Sequence, residues 1–331
     1  MTVTRTTREA PPEDGEAVPA AEEGLVPARP RVGDKVFKNL STGSGIAILV
    51  ILALVAGFLL IQAVPALTSS PEQLKAQGYG EFWSWVLPYG FGTVWASVWA
   101  LLLAVPVAIG IALFISHYAP RRLAQGLGYV IDLLSAVPSV VYGLWGILVL
   151  APAVQPLYVW LNAHLGFIPF FGGTPSGTGR TELTAAIVLA VMILPIITAL
   201  CREVFLQAPK LHEEAALALG ATRWEMIRMA VLPFGRAGIV SACMLGLGRA
   251  LGETMAVAMV LSGSNVISIQ MLTSENPNTI AATIALNFPE ASGLGINQLI
   301  AAGLVLFCIT LGVNMLARWI VSRRAQYSGA N

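Results

Sequence analysis

Six long apolar runs divide this chain, at about residues 45–64, 90–116, 129–150, 183–201, 238–262 and 296–321. Each is close to the roughly 20 residues that an α-helix needs to cross the hydrocarbon of a bilayer. The pattern predicts an all-α polytopic membrane protein with six transmembrane helices. Two more apolar pieces, LYVWLNAHLG and residues 279–288, are only about ten residues long and too short to span. They are expected at the interface or as re-entrant segments. Asp132 falls in the first turn of the third run, where a helix dipole favours it, and Pro106, Pro138 and Pro195 read as helix kinks.

One polar stretch interrupts the runs, EAALALGATRWEMIRMAVLP at residues 214–233. It reads as helix, stop and second helix. Pro209 suits a first helical turn, since its missing N–H would be unpaired there anyway. Glu213 and Glu214 follow where the dipole favours negative charge. Gly220 is the expected left-handed stop. Thr222 and Glu225, three apart, make a capping box for the second helix, which Pro233 is expected to close ahead of the fifth run.

Composition agrees with a membrane class. Hydrophobic residues make up 56% of the 331 and charged residues 11%, against about a quarter charged in soluble domains. Residues 1–40 differ, with clustered charges and Pro11, Pro12, Pro19, Pro27 and Pro30. Such a segment cannot bury enough surface to order itself. An apolar stretch that starts this late is also unlike a cleavable signal peptide. The layout expected is a disordered tail with its lead-in over 1–42, the first helix and an external loop over 43–84, a core over 85–322 and a short tail over 323–331.

The basic residues orient the helices. Arg5, Arg8, Arg29, Arg31, Lys35 and Lys38 precede the first run, and Arg121 and Arg122 join the second to the third. Arg202, Lys210, Arg223, Arg228 and Arg236 flank the polar stretch, while Arg318, Arg323 and Arg324 mark the carboxyl end. The other connections carry only Lys75 and Arg180. The positive-inside rule then makes both termini and the 214–233 loop cytoplasmic. Tyr79, Phe82, Trp83 and Trp85, before the second run, fit an interfacial aromatic belt.

Within the apolar runs the charged positions of note are Arg249 and Glu253. Four apart, they are expected to share one helix face. Counted from Gly238, Arg249 lies roughly 17 Å into the run, near mid-membrane. Each such charge costs about 2.5–3.5 kcal/mol even on the lenient insertion scale, so both must face a partner, a cavity or water. Two readings stay open. The pair neutralises itself and fixes helix packing, helped by Gly248 and Gly252 in a GxxxG arrangement. Alternatively, Arg249 supplies positive potential to an anion pathway and Glu253 orients it, its carboxylate accepting a hydrogen bond from a protonated oxyanion while repelling a fully ionised one.

Much is excluded. Cys201, Cys243 and Cys308 have no paired spacing, and His117, His164 and His212 have no metal-ligand spacing, so neither a disulfide framework nor a metal site is expected. There is no GxxxxGK[ST] loop for a nucleotide and no GxSxG or HExxH set for hydrolysis. The GxG at Gly246 lacks a preceding strand. No basic face interleaved with aromatics points to nucleic acid.

The spacing from Glu214-Ala215-Ala216 through Gly220 to Leu232-Pro233 resembles the EAA loop of ABC-importer permeases, with Ala230 where that family usually has a β-branched residue. GRALGETMAV at 248–257, with PSVVYGLWG at 138–146, is similar to the permeases of phosphate-specific (Pst-type) ABC importers, their PstC-type branch in particular. The resemblance covers about residues 85–322. It implies a type I ABC-importer permease fold (MetI-like) in a prokaryotic plasma membrane. It implies a second, PstA-type permease, a PstB-type ATPase dimer that binds the ATP and Mg, and an external PstS-type phosphate-binding protein. This chain itself would bind no cofactor and catalyse nothing. Glu214, Ala215, Ala216 and Gly220 would couple to the ATPase within a loop of about 203–236. Arg249, Glu253 and, more weakly, Ser139 and Tyr142 would line the substrate pathway. Rival readings are a permease for sulfate or molybdate, and a stand-alone secondary transporter or channel, for which inverted repeats would be expected.

Overall fold

The computed structural model describes residues 32–70, 72 and 81–325. Residues 1–31 of the tail predicted over 1–42, Lys75, Tyr79 and residues 326–331 lie outside them. The chain divides after Val55 into two units. In the first, the described residues form the start of helix α1 (Val32–Thr68), with their side chains exposed from Gly33 onward. Helix therefore already covers residues 32–42, ahead of the expected boundary, with Asp34 in its first turn, where the dipole favours a carboxylate.

The second unit holds the rest. Its helices are α2 (Phe82–Leu113), α3 (Arg121–Ser135), α4 (Ser139–Trp145), α5 (Ala151–Leu165), α6 (Glu182–Leu206), α7 (Lys210–Ala218), α8 (Arg223–Met226), α9 (Leu232–Leu251), α10 (Met255–Val260), α11 (Ile280–Asn287) and α12 (Leu294–Ala325). Gly263–Ser264 and Asn276–Pro277 pair as two short parallel strands. Among the described residues, six helical stretches are long and apolar enough to cross a membrane: Gly33–Thr68, Phe82–Tyr118, Ser139–Leu165, Glu182–Leu206, Arg223–Leu251 and Leu294–Trp319.

The spine is the α2–α6 pair. Ala96, Ala100, Ala104, Ala108 and Ala112 recur every fourth residue, and none is more than 1% exposed. A stripe of small side chains lets two helix backbones approach closely. Val188, Leu189, Met192, Ile193, Ile197, Cys201 and Phe205 of α6 belong to the same core. α9 then packs antiparallel on α6. A Cβ on Gly238 would run into the Val204 side chain, and one on Gly246 would fall 2.7 Å from Ile197. A second cluster joins Ala63 and Ala66 of α1 to Phe82, Trp85, Ile280 and Leu299. Phe82 and Trp85 are thus packing residues, while Trp83, 54% exposed, keeps the position expected of a belt residue.

Three expectations need correction. The third span is Ser139–Leu165, not 129–150, and LYVWLNAHLG forms most of its last part. Pro138 disfavours helix in the residue before it and stands at the N-cap of α4, so the chain breaks there instead of kinking. Asp132 accordingly lies late in α3, exposed, and not in the first turn of a span. Pro233 does not close a helix either. A π-turn over Ile227–Val231 widens the backbone ahead of it, and helix runs on from Arg223 to Leu251. A wider turn relieves the clash between the proline ring and the preceding carbonyls.

The third correction is in the fifth run, which is broken. α9 ends at Leu251, and Gly252 to Thr254 lie between it and α10. Arg249 and Glu253 therefore do not share a helix face. Glycine weakens the helix at 252, and local side-chain bonds replace the helical ones. Thr254 Oγ1 donates to the Gly252 carbonyl at 3.2 Å, and Glu253 Oε1 accepts the Ala256 N–H at 3.0 Å. The short apolar segment 279–288 is α11, capped by Thr279 and buried along Ile280–Thr283 between α10, α12 and α2.

Candidate functional site

Two places carry the candidate residues, and one helix joins them. At the first, α7 and α8 form a hairpin. Gly220 has φ +87°, open to glycine at little cost. Its N–H donates to the Leu217 carbonyl at 3.0 Å, and the Ala221 N–H donates to Ala216 at 3.2 Å. These two bonds are the Schellman pattern, which satisfies the last carbonyls of α7. The capping box is also present. The Glu225 N–H donates to Thr222 Oγ1 at 3.3 Å, and the Thr222 N–H donates to Glu225 Oε2 at 2.8 Å.

No residue of α7 is fully buried. Glu214 and Ala215 face outward, whereas Ala216 is half-buried against the core. Glu213 is the carboxylate held inside, its Oε1 3.5 Å from His117 Nε2 at the end of the second span. Leu211, Leu217, Leu219 and Trp224 are 76%, 44%, 90% and 55% exposed. Apolar side chains gathered on a hairpin this exposed mark a surface for another protein.

The second place is a cleft of about 870 Å³ where α6, α9 and α12 meet. Ile196, Met244, Leu245, Leu311 and Met315 give it apolar walls, and its polar lining is Ser241, Arg249, Asn314 and Arg318. Among the described residues the ion pairs are His117–Glu213 and Arg202–Glu203, so neither cleft guanidinium has a carboxylate partner. Guanidinium groups with hydroxyl and amide neighbours suit an oxyanion, which they bind through paired N–H donors.

Glu253, Ser139 and Tyr142 do not line this cleft. Glu253 is 8% exposed and caps α10. Ser139 is the first residue of α4. The Tyr142 hydroxyl donates to the Leu134 carbonyl at 2.9 Å. The stretches 138–146 and 248–257 do meet, because α4 packs on α10. A Cβ on Gly143 would fall 2.9 Å from Ala256 Cα, and one on Gly146 would fall 2.7 Å from Val188 and Val260. Arg318, Asn314 and Ser241 escaped the sequence reading. The available signal was Asn314 and Arg318 four apart on one helix face; Arg318 had been read only as the basic end of a span.

With this geometry in hand, the chain can be set beside known proteins. The model of the binding-protein-dependent transport system inner membrane component matches residues 104–326. The chain belongs to this family. It is similar to the phosphate transport system permease protein PstC 2 of Mycobacterium tuberculosis, 46% identical over 307 residues, which covers 88% of this chain and 92% of that protein. The corresponding PstC of Xylella fastidiosa is 40% identical over 311 residues, covering 89% and 93%. Among solved structures, a bacterial ABC transporter involved in the import of the acidic polysaccharide alginate has TM-score 0.56 at 17% identity, covering 88% of this permease and 99% of that chain. At that identity the likeness speaks for the fold alone. This permease is thus a multi-pass membrane protein of the MetI-like type.

Proposed function

We propose that this permease is one half of the translocation pathway of an ATP-driven importer of inorganic phosphate. The observation that carries the reading is one helix. From Arg223 to Leu251 it is continuous over 29 residues, about 43 Å at 1.5 Å per residue. Its start is the capped end of the exposed hairpin, and Arg249 stands near its finish. A push on the hairpin is therefore carried to the cleft by unbroken helix, through the π-turn over Ile227–Val231. The PstC relatives, similar over most of the chain, support phosphate over sulfate or molybdate.

In this reading the hairpin end is cytoplasmic, as are both termini, and the membrane is a prokaryotic plasma membrane. An ATPase dimer binds ATP and Mg and seats the α7–α8 hairpin. Leu211, Leu217, Leu219 and Trp224 supply contact area, Glu214 sets orientation, and Ala215, Ala216 and Gly220 allow close approach. A second, related permease completes the pathway, and an external binding protein delivers phosphate. Arg249 meets the anion. Glu253, Ser139 and Tyr142 act beside it by fixing the breaks at Gly252 and Pro138 that set how α9, α10 and α4 lie.

The test is transport by the complete complex reconstituted in vesicles. Glu214→Ala is expected to leave the subunits co-purifying and ATP hydrolysis running, while phosphate uptake falls steeply. Uptake at the wild-type rate in that variant rejects the coupling role. Accumulation of phosphate by the permease alone, without nucleotide, rejects the whole reading.

A further inference from the structure

We infer that Asn314 and Arg318 of α12 form a second anion station in the cleft that holds Arg249, on its hairpin side. The inference rests on the cleft being the phosphate pathway, and it assigns the exit half of that pathway. The cleft is lined by two guanidinium groups, one hydroxyl and one side-chain amide, and by no carboxylate. Neither guanidinium is ion-paired within the described residues. Two like charges in one cleft with apolar walls are costly until something neutralises them. A mobile oxyanion is the group that fits.

Position along the cleft separates the two stations. α9 and α12 carry consecutive crossings and so run in opposite directions. On α9 the lining passes from Ser241, nearer the hairpin, to Arg249; on α12 it passes from Leu311 to Arg318. Arg318 therefore lies at the hairpin end and Arg249 at the far end, separated by about 12 Å of helix rise. Asn314 is one turn from Arg318 on the same face. Its amide adds a donor that a fully ionised oxyanion accepts from without repulsion. Passage requires that an ion be held weakly at more than one place, so that each site can release it to the next. Arg249 alone would hold phosphate or lose it; Arg318 gives it somewhere to go.

The experiment uses the complete complex in vesicles preloaded with graded amounts of inorganic phosphate, with labelled phosphate outside. Internal phosphate competes at an exit station and slows uptake. Arg318→Gln is expected to lower uptake about tenfold, the size of one lost charge-assisted hydrogen bond. It should also raise several-fold the internal phosphate that halves uptake. Arg318→Lys should recover most of both effects, and Asn314→Leu should shift both in the same direction by less. Co-purification of the subunits should not change.

Wild-type uptake in Arg318→Gln overturns the inference. So does reduced uptake with unchanged inhibition from inside, which is what a packing role produces. Arg249→Gln is the control on the premise. If it abolishes uptake while Arg318→Gln transports at the wild-type rate, only the second station is lost; if both transport normally, the cleft is not the pathway.

Discussion

α6 and α9 lie side by side and are used differently. α6 buries 61% of its most apolar stretch, whereas the Arg223–Leu251 helix buries 28% of its own. The two buried threonines of α6 are turned inward and answered locally: Thr184 Oγ1 donates to the Gly179 carbonyl and Thr198 Oγ1 to that of Leu194. On α9 it is the cleft that receives polar side chains: Arg249 lines it without an ion-pair partner among the described residues, and Ser241 lines it while its Oγ donates to the Ala237 carbonyl at 3.0 Å. A span enclosed on most sides has one arrangement at which its packing is satisfied. A span packed along one face can tilt on that face while its other side meets a partner. On the proposed reading, the difference assigns α6 to the frame and α9 to the moving part.

The largest effect expected from this contrast is on the frame. Ala104 is 1% exposed in the alanine stripe, so Ala104→Leu forces extra volume between α2 and α6 and should cost about 1–3 kcal/mol. Folded permease recovered from detergent should drop sharply, and with it every activity. Leu245→Ala, at a position 57% exposed on α9, should leave the yield unchanged. Equal thermal stability of these two variants in detergent would erase the distinction between frame and mover.

Next comes the hairpin. Gly220 sits at φ +87° with open space around it, so Gly220→Val meets backbone strain and not a clash. Strain of this kind costs of order 1–3 kcal/mol and is expected to reshape the hairpin without touching the α2–α6 core. The complex should still assemble, hydrolysis should lose its dependence on substrate, and uptake should fall close to zero. Thr222→Ala removes only the cap, worth about 1 kcal/mol, and should slow uptake partially at full assembly. Full uptake in both variants would mean that the shape of the hairpin does not matter for coupling.

The hairpin was legible in the sequence because its signals are local. A glycine stop and a Thr-x-x-Glu box act within one turn, and both took the bonds expected of them. The spans were legible in number but not in bounds. α3 exposes Tyr129, Val130 and Leu133 at 72%, 50% and 71%, so its apolar face read as the start of the third crossing, although Pro138 ends that helix first. The break at Gly252 was hidden for the converse reason. Apolar residues continue on both sides of it, and what ends α9 is a carboxylate that reaches forward to cap α10. Arg318 was missed because a basic residue at the end of a span already has an ordinary explanation. Only the fold brings it to the same cleft as Arg249.

The smallest expected effect is at Glu253, and it decides what that residue contributes to the moving part. Its Oε1 accepts the Ala256 N–H, a buried bond that ends one helix and starts the next. A glutamine side chain keeps a carbonyl oxygen at the same reach. If capping is the role, Glu253→Gln should retain most of the wild-type uptake, while Glu253→Ala leaves a backbone donor without its partner and should cost about 1 kcal/mol of stability together with a clear loss of uptake. If the negative charge acts on the anion itself, glutamine should be as damaging as alanine. Phosphate uptake measured in the two variants side by side separates these outcomes. A glutamine variant as inactive as the alanine one would return Glu253 to the pathway and make the break after α9 a consequence of Gly252 alone.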